Sequence, residues 1–323
     1  MSKCARLAPL DGARALAFLG VVTIHTVGRL GDIESGEVAR FAVGASDWAV
    51  PALFMLSGYV TGRRGHTPDN VRRWIVRLGV PYVTWTLIYG GALAALGLLP
   101  RMSAFGVAAA ALLGHTAAHL WFLPALMTCH VVGLVTRTPR ALLAALALTV
   151  PLFVARIVVP ESETVAYSLL RYSPLAWVFV YLVGVWVSRA QPSPLPASVV
   201  RAGGLVAPLV MGLTIITLGE GPMGRGLITA TGLGVSWLVI ADVHGGGDAL
   251  ALARISRFGE AAFPAYLIHM LPVYALGSVG LTGLSGWAVG AVTIGVVLLS
   301  WAVGGGLSRL KTMRWVFGDF GTR

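Results

Sequence analysis

Long, nearly uninterrupted apolar segments constrain this chain more than any other feature of its sequence. Many of them run for about 20 residues, the length that an α-helix needs to cross the hydrocarbon core of a bilayer. Hydrophobic residues make up 56% of the chain and charged residues 11%, whereas a soluble domain usually carries about 25% charged residues. The apolar excess is therefore predicted to face lipid, and the sequence predicts an all-α protein embedded in a lipid bilayer.

The apolar segments predict about ten transmembrane helices, each long enough to cross with a modest tilt. We place them at residues 12–29, 42–62, 78–98, 119–136, 141–159, 173–188, 203–219, 225–242, 261–280 and 286–304. The apolar segment Phe105–Gly114 is too short to cross and is predicted to be re-entrant or interfacial. Residues 1–323 are predicted to form a single membrane-embedded domain without an appended soluble domain.

The positions of the basic residues predict the orientation of these helices. The formal net charge is +11, but the basic residues lie in short segments between apolar runs, so we expect no nucleic-acid partner. With the N-terminus inside, 17 of the 24 lysines and arginines fall in inside segments and 5 in outside segments. This asymmetry follows the positive-inside rule, and it predicts that both termini are cytoplasmic.

Two ionisable residues inside the first apolar segment are functional candidates, because burying such groups in a membrane is costly. Arg14 and His25 are eleven residues apart, which on an α-helix puts them on one face and about 16 Å apart along the axis. A bound molecule could stretch between them. The alternatives are a snorkelling arginine and a histidine that bonds to a neighbouring helix. Asp11 is interpreted mainly as the N-cap of this helix and secondarily as a partner of Arg14.

Five motifs, in order along the chain, resemble the acyltransferase-3 family of integral membrane acyltransferases. The segment Leu10–His25 contains the family's basic residue, ten intervening residues and a histidine, at Arg14 and His25. The other four motifs are Phe54–Gly58, the arginine-rich turn Arg72–Arg77 followed by Pro81, His119–Leu123, and Phe258–His269. This chain has Ala262-Phe263 where the family usually has a Ser-Tyr-like pair.

The resemblance implies an enzyme that moves an acyl group, in the first instance acetyl, from acyl-CoA to a hydroxyl group. The acceptors it implies are sugars, envelope polysaccharides or glycosylated natural products, and the location it implies is a bacterial plasma membrane. Acyl-CoA is then a cosubstrate, and no tightly bound cofactor or metal is expected. His25 is the expected general base, supported by Arg14 and Asp11.

The resemblance also implies binding residues. Arginine binds phosphate bidentately, so Arg72, Arg73 and Arg77 are expected to bind the phosphates of the donor; the alternative is that they are topological charges. Substrate contacts are expected from Trp121, Tyr266, His269 and Glu260. The alternatives are an aromatic belt for Trp121 and helix capping for Glu260. Ser57 with Gly58 is interpreted as a helix contact rather than as a nucleophile.

Two other functions remain open from the residues alone. Ten helices with intramembrane charge also suit a transporter, although no convincing pair of internal repeats is present. An intramembrane lyase or cyclase on the same scaffold is the second alternative, because the Ala262-Phe263 departure removes hydroxyl groups from the late motif.

Overall fold

The computed structural model describes residues 7–32, 36–98, 103–159, 170, 173–190, 194–218, 221–247 and 250–320. In these residues the regular secondary structure is helical, apart from a single bridge between Gly31 and Leu284. The prediction of an all-α membrane protein is thus confirmed.

The described residues form fourteen α-helices. These are α1 (Ala8–Leu30), α2 (Glu37–Gly44), α3 (Ala49–Arg64), α4 (Pro68–Ala95), α5 (Ala104–Leu113), α6 (Phe122–Gly133), α7 (Pro139–Val158), α8 (Pro174–Ala190), α9 (Ala197–Leu218), α10 (Pro222–His244), α11 (Ser256–Glu260), α12 (Ala262–Ile268), α13 (Met270–Ser278) and α14 (Gly286–Leu307). Short 3₁₀ helices cover Leu134–Thr136, Leu252–Ile255 and Arg314–Phe317.

Seven of the described helical segments are long and apolar enough to cross a membrane, with α2 and α3 counted together as Glu37–Arg64. The pair Leu252–Glu260 and Ala262–Ser278 is bent by 53° and forms either an eighth, broken span or a re-entrant loop. The shorter apolar helices Phe122–Thr136 and Pro174–Ala190 coincide with two further predicted spans. Large apolar side chains such as Leu148 and Trp287, 77% and 88% exposed, form the outward surface that the composition predicts.

The structure corrects the predicted start of the third span. Helix α4 begins at Pro68, ten residues before the predicted residue 78, because Thr67 caps it by accepting a hydrogen bond from the backbone N–H of Asn70. Proline is also favoured in the first turn of a helix, where its missing N–H costs nothing. The arginine-rich segment Arg72–Arg77 is therefore helical, and its interpretation as a turn is wrong.

The count of ten spans and the cytoplasmic position of both termini stay predictions. Reporter fusions after Arg323 and in the segment Glu161–Glu163, both outside the described residues, are expected to report opposite sides of the membrane. Matching reports from the two fusions would mean that the predicted number of helices between them is wrong by one.

Helices α3 and α8 pack against each other through glycines. A Cβ atom added at Gly58 would lie 2.0 Å from the backbone oxygen of Tyr181, and one at Gly184 would lie 2.0 Å from that of Met55. Small residues permit this close approach of two backbones, which is a common contact between membrane helices. The interpretation of Gly58 as part of a small-residue helix contact is confirmed.

Glycines also fix the first turns of α1 against the segment before α12. A Cβ atom at Gly12 would lie 2.0 Å from the backbone oxygen of Leu252, and one at Gly259 would lie 1.9 Å from that of Asp11. These close contacts bring the beginning of α1 next to α11, so that Arg14 and Glu260 line one cavity.

Candidate active site

A cavity of about 380 Å³, here called the arginine cavity, lies at the end of the helix bundle where α1 begins, α3 ends and α4 begins. Three arginines line it, namely Arg14, Arg64 and Arg77. Two carboxylates, Asp11 and Glu260, lie in the same wall. The rest of the described lining is mostly aromatic and aliphatic, and it includes Phe18, Ser57, Trp74, Phe122, His130, Phe263, Tyr266 and Phe317.

Asp11 orients Arg14 and does not cap α1. The helix begins at Ala8, its N-cap residue Leu7 makes no side-chain capping bond, and Asp11 lies within the first turn. Asp11 is buried, and its carboxylate accepts a hydrogen bond of 2.7 Å from Arg14 Nη1. The main interpretation of Asp11 as an N-cap is therefore wrong, because the helix starts four residues earlier than predicted. Its second interpretation, as a partner of Arg14, is confirmed.

The arginine-rich segment of α4 is split between the cavity and the surface. Arg77 lines the arginine cavity and donates from Nε to the backbone oxygen of Gly318 over 3.2 Å. Arg73 instead bonds within its own helix, to the side chain of Asn70 over 2.6 Å. Arg72 is exposed, and neither Arg72 nor Arg73 is among the described residues that line the cavity.

The Ala262-Phe263 departure lies in the wall of the same cavity. Phe263 stacks nearly parallel to Tyr266, with 6.4 Å between ring centroids. Glu260 ends α11, and the next helix has Ala261 as its N-cap without a side-chain capping bond. The structure therefore places Glu260, Phe263 and Tyr266 together on one side of the arginine cavity.

Three histidines from distant parts of the chain meet beyond Tyr266. The ring of His25 lies 5.4 Å from that of His269 and 6.3 Å from that of His119, between centroids, and His119 and His269 are 4.8 Å apart. His119 and His269 are buried, whereas His25 is half-buried. Sequence motifs contain all three residues, but no spacing in the sequence predicts that their rings meet. In the described part of the chain, no such cluster is arranged to hold a metal ion.

Backbone carbonyl groups fix the surroundings of this histidine cluster. His269 Nδ1–H donates to the backbone oxygen of Tyr266 over 2.6 Å, and the Tyr266 hydroxyl donates to the backbone oxygen of His119. The Tyr89 hydroxyl donates to the backbone oxygen of Leu267 over 2.8 Å. These bonds tie α12 to the segment that precedes α6. Tyr266 and His269, both predicted as substrate contacts, are therefore held together by one set of hydrogen bonds.

Two further cavities meet at His25, at the opposite end of α1 from Arg14. The Tyr274 cavity, about 490 Å³, is lined by residues that include Gly28, Arg29 and Tyr274. The Trp177 cavity, about 310 Å³, is lined by residues that include Asp47, Trp121, Arg156, Trp177, Arg225 and Thr229. Both cavities share Ile24, His25 and Ala118, so His25 lies where they join.

The Trp177 cavity combines aromatic faces with charge. The rings of Trp121 and Trp177 lie 5.6 Å apart, and the guanidinium of Arg156 lies 3.9 Å above the Trp177 ring. Arg225 donates from Nε to the backbone oxygen of Ile157 over 2.9 Å. The sequence suggested a role for Trp121 but none for the other residues, although an arginine inside an apolar helix, as at position 156, is itself a signal of a functional site.

The wall between the arginine cavity and the Trp177 cavity is thin. Phe18 lines the arginine cavity and Val21 the Trp177 cavity, a separation of less than one turn of α1. Likewise, Phe122 lines the arginine cavity and its neighbour Trp121 lines the Trp177 cavity. The Phe122 ring lies 5.9 Å from that of Tyr266, so the wall is mostly aromatic.

A buried hydrogen-bonded chain, not predicted from the sequence, lies beside the arginine cavity. The Tyr181 hydroxyl bridges His66 Nε2 and His130 Nδ1, each over 2.9 Å. Burial, reinforced by Arg189 and Arg137, lowers the pKa of His66 to about 4, so this imidazole is neutral near pH 7. These two hydrogen bonds link the loop after α3 with α6 and α8, and they stabilise this side of the arginine cavity.

A family model described as an acyltransferase domain matches residues 7–305. The match covers every described lining residue of the three cavities except Phe317 and Gly318. No curated protein and no solved structure matches the chain.

Proposed function

Because the chain belongs to the acyltransferase-3 family of membrane acyltransferases, we propose that it moves an acyl group from acyl-CoA in the arginine cavity to a hydroxyl group held beside His25. Family membership and the apolar helices make the protein a multi-pass membrane acyltransferase. The donor, the acceptor and the roles of individual residues are the substance of the proposal.

The placement of two residues at opposite ends of one helix carries this proposal. Arg14 lines the arginine cavity and His25 lines both cavities at the other end, about 16 Å away along α1. The phosphates of coenzyme A need cations that bind bidentately, as arginine does, and its pantetheine arm is extended. A donor that binds by its phosphates at Arg64 and Arg77 can therefore direct its thioester along α1 toward the thin aromatic wall, on the other side of which His25 lies.

His25 then acts as the general base. It takes the proton of the acceptor hydroxyl while the oxygen forms a bond to the thioester carbon, and it returns this proton to the sulfur when the carbon–sulfur bond breaks. The products are an ester and the free thiol of coenzyme A, and no other reactant is needed. Direct transfer and an acyl-histidine intermediate are both consistent with this geometry.

The Trp177 cavity supports a carbohydrate acceptor. Cavities of about 300–1,000 Å³ suit ligands of ordinary small-molecule size. The faces of Trp121 and Trp177 offer apolar platforms for the C–H faces of a sugar ring, and Asp47, Arg225 and Thr229 in the same wall offer polar partners for its hydroxyl groups. Trp121 is therefore proposed as an acceptor platform rather than as part of an aromatic belt.

The donor site gives a direct test. Arg77→Ala is expected to raise the KM for acetyl-CoA by roughly 10- to 150-fold, because a charge-assisted hydrogen bond contributes about 1.5–3 kcal/mol. The assay measures release of free thiol by purified protein with a glycoside acceptor. Arg140→Ala, which removes an exposed arginine that lines none of the described cavities, is the matched control. Equal KM values for the two variants would remove Arg77 from the donor site, and a protein that releases no thiol with any acyl-CoA would contradict the donor itself.

A further inference from the structure

The hydrogen bonds around His269 fix the position of its proton. A carbonyl oxygen can only accept, so the 2.6 Å bond from His269 to the backbone oxygen of Tyr266 places the ring proton on Nδ1. Nε2 of a neutral His269 therefore carries a lone pair. This Nε2 atom is buried and has no hydrogen-bond partner among the described residues. Buried polar atoms in native proteins are almost always paired, so this acceptor next to His25 calls for a hydrogen-bond donor.

We propose that His269 is a positioning residue that accepts a hydrogen bond from the ring N–H of His25, which leaves the other ring nitrogen of His25 free to take a proton from the acceptor. A small rotation of the half-buried His25 ring forms this bond. Its catalytic consequence rests on the proposed function, but the bond itself is a property of the protein without substrates.

The geometry favours His269 over His119 in this role. Two imidazoles joined by an N–H···N bond have ring centroids roughly 5 Å apart, given a donor–acceptor distance of about 3 Å. The His25 and His269 rings are 5.4 Å apart and inclined by 36°, whereas the His119 ring is 6.3 Å from His25 and inclined by 72°. No bond to His119 fixes which of its nitrogens is protonated, since both lack a partner among the described residues.

In many hydrolases a carboxylate accepts a hydrogen bond from the catalytic histidine and so orients its ring. Here the neutral imidazole of His269 has this role. A base works best when a third group holds its ring and fixes its tautomer. Burying a carboxylate at this depth would be costly, whereas a neutral imidazole whose proton is held by a carbonyl supplies the same acceptor. The proton that His25 takes from the acceptor stays on His25 until it moves to the sulfur. His269 therefore gains no proton during the reaction.

Carbethoxylation by diethyl pyrocarbonate tests this bond without donor or acceptor. The reagent modifies an unprotonated ring nitrogen, and peptide mass spectrometry of the full-length protein in detergent gives the rate at His25. His269→Leu is expected to lower this rate at pH 7.5 by about tenfold, the factor that one ordinary hydrogen bond provides. His269→Gln, whose side-chain oxygen can accept a bond, is expected to restore the rate to within about threefold of the wild-type value.

Folding is checked in the same experiment, because His119 is buried in the native protein and reacts only when the protein unfolds. Ser300→Ala, which alters another buried polar side chain, is the matched control and should react at the wild-type rate. If His269→Leu does not fold, His269→Phe keeps an aromatic ring and takes its place. A wild-type rate in the folded Leu or Phe variant overturns the proposal, as does an equal loss of rate in the Gln variant. If the modification rates are as expected but the protein releases no thiol from acyl-CoA, the hydrogen bond between His25 and His269 is supported and the proposed acyl transfer is rejected.

Discussion

His25→Gln is expected to fold and to bind coenzyme A, yet to lower kcat by at least about 100-fold, the low end for loss of a general base. Glutamine replaces part of the hydrogen bonding of histidine but has no basic nitrogen. A histidine that only bonds to its neighbours should therefore tolerate this change, whereas a base should not. His25 lines the Trp177 cavity proposed for the acceptor and is not part of the arginine cavity, so its loss should affect the rate of the chemical step and leave donor binding unchanged.

The measurement needs detergent-purified protein, a binding assay for coenzyme A and turnover with a glycoside acceptor. His115→Gln is the matched control, because His115 is an exposed histidine that lines none of the described cavities. Arg14→Gln should differ from both, with weaker donor binding as well as slower turnover, because Arg14 lies in the arginine cavity. Near-normal turnover in His25→Gln would exclude this histidine as the base.

Gly184→Leu is expected to abolish stable folding. The first atom of the new side chain would lie 2.0 Å from the backbone oxygen of Met55, so helices α3 and α8 would have to separate. Overpacking of a core usually costs about 1–3 kcal/mol, but separation of two backbones also removes their other contacts. The expected loss approaches the whole stability of about 5–15 kcal/mol that is typical of a native protein.

Thermal unfolding and the yield of monodisperse protein in detergent measure this effect. Gly234→Leu is the matched control, because a Cβ atom at this helical position meets no atom within 4 Å. Similar unfolding temperatures for the two variants would contradict the close packing of α3 against α8.

The sequence predicted the parts of the fold that depend on local pattern. Apolar runs near 20 residues long predict membrane helices because the bilayer sets their length, and the eleven-residue spacing of Arg14 and His25 predicts one helix face because the geometry of an α-helix is regular. The spacing also predicts that the two side chains lie at different depths, and the structure shows them in different cavities.

The remaining features depend on packing between distant segments. His119 and His269 meet His25 because α1 packs against α12 and α13, and because Tyr266 ties α12 to the segment before α6; no local pattern encodes those contacts. The same holds for Arg156 and Trp177, which come from neighbouring helices of the bundle. The interpretation of Asp11 as an N-cap failed for a local reason. Pro9 is compatible with the first turn of α1, so the helix begins before its apolar run.

The thin wall at Phe18 and Phe122 has an electrical consequence for the membrane. A bilayer insulates over about 30 Å of hydrocarbon, but when water fills the cavities on both sides, the insulating layer at this point shrinks to roughly one helical turn, about 5.4 Å. Where the two cavities open to opposite faces of the membrane, the transmembrane voltage falls mostly across this layer, and a unit charge that crosses it gains or loses about 2.3 kcal/mol per 100 mV. Any reaction step that moves a net charge through this wall then depends on membrane voltage, although the charge travels only a fraction of the membrane's thickness.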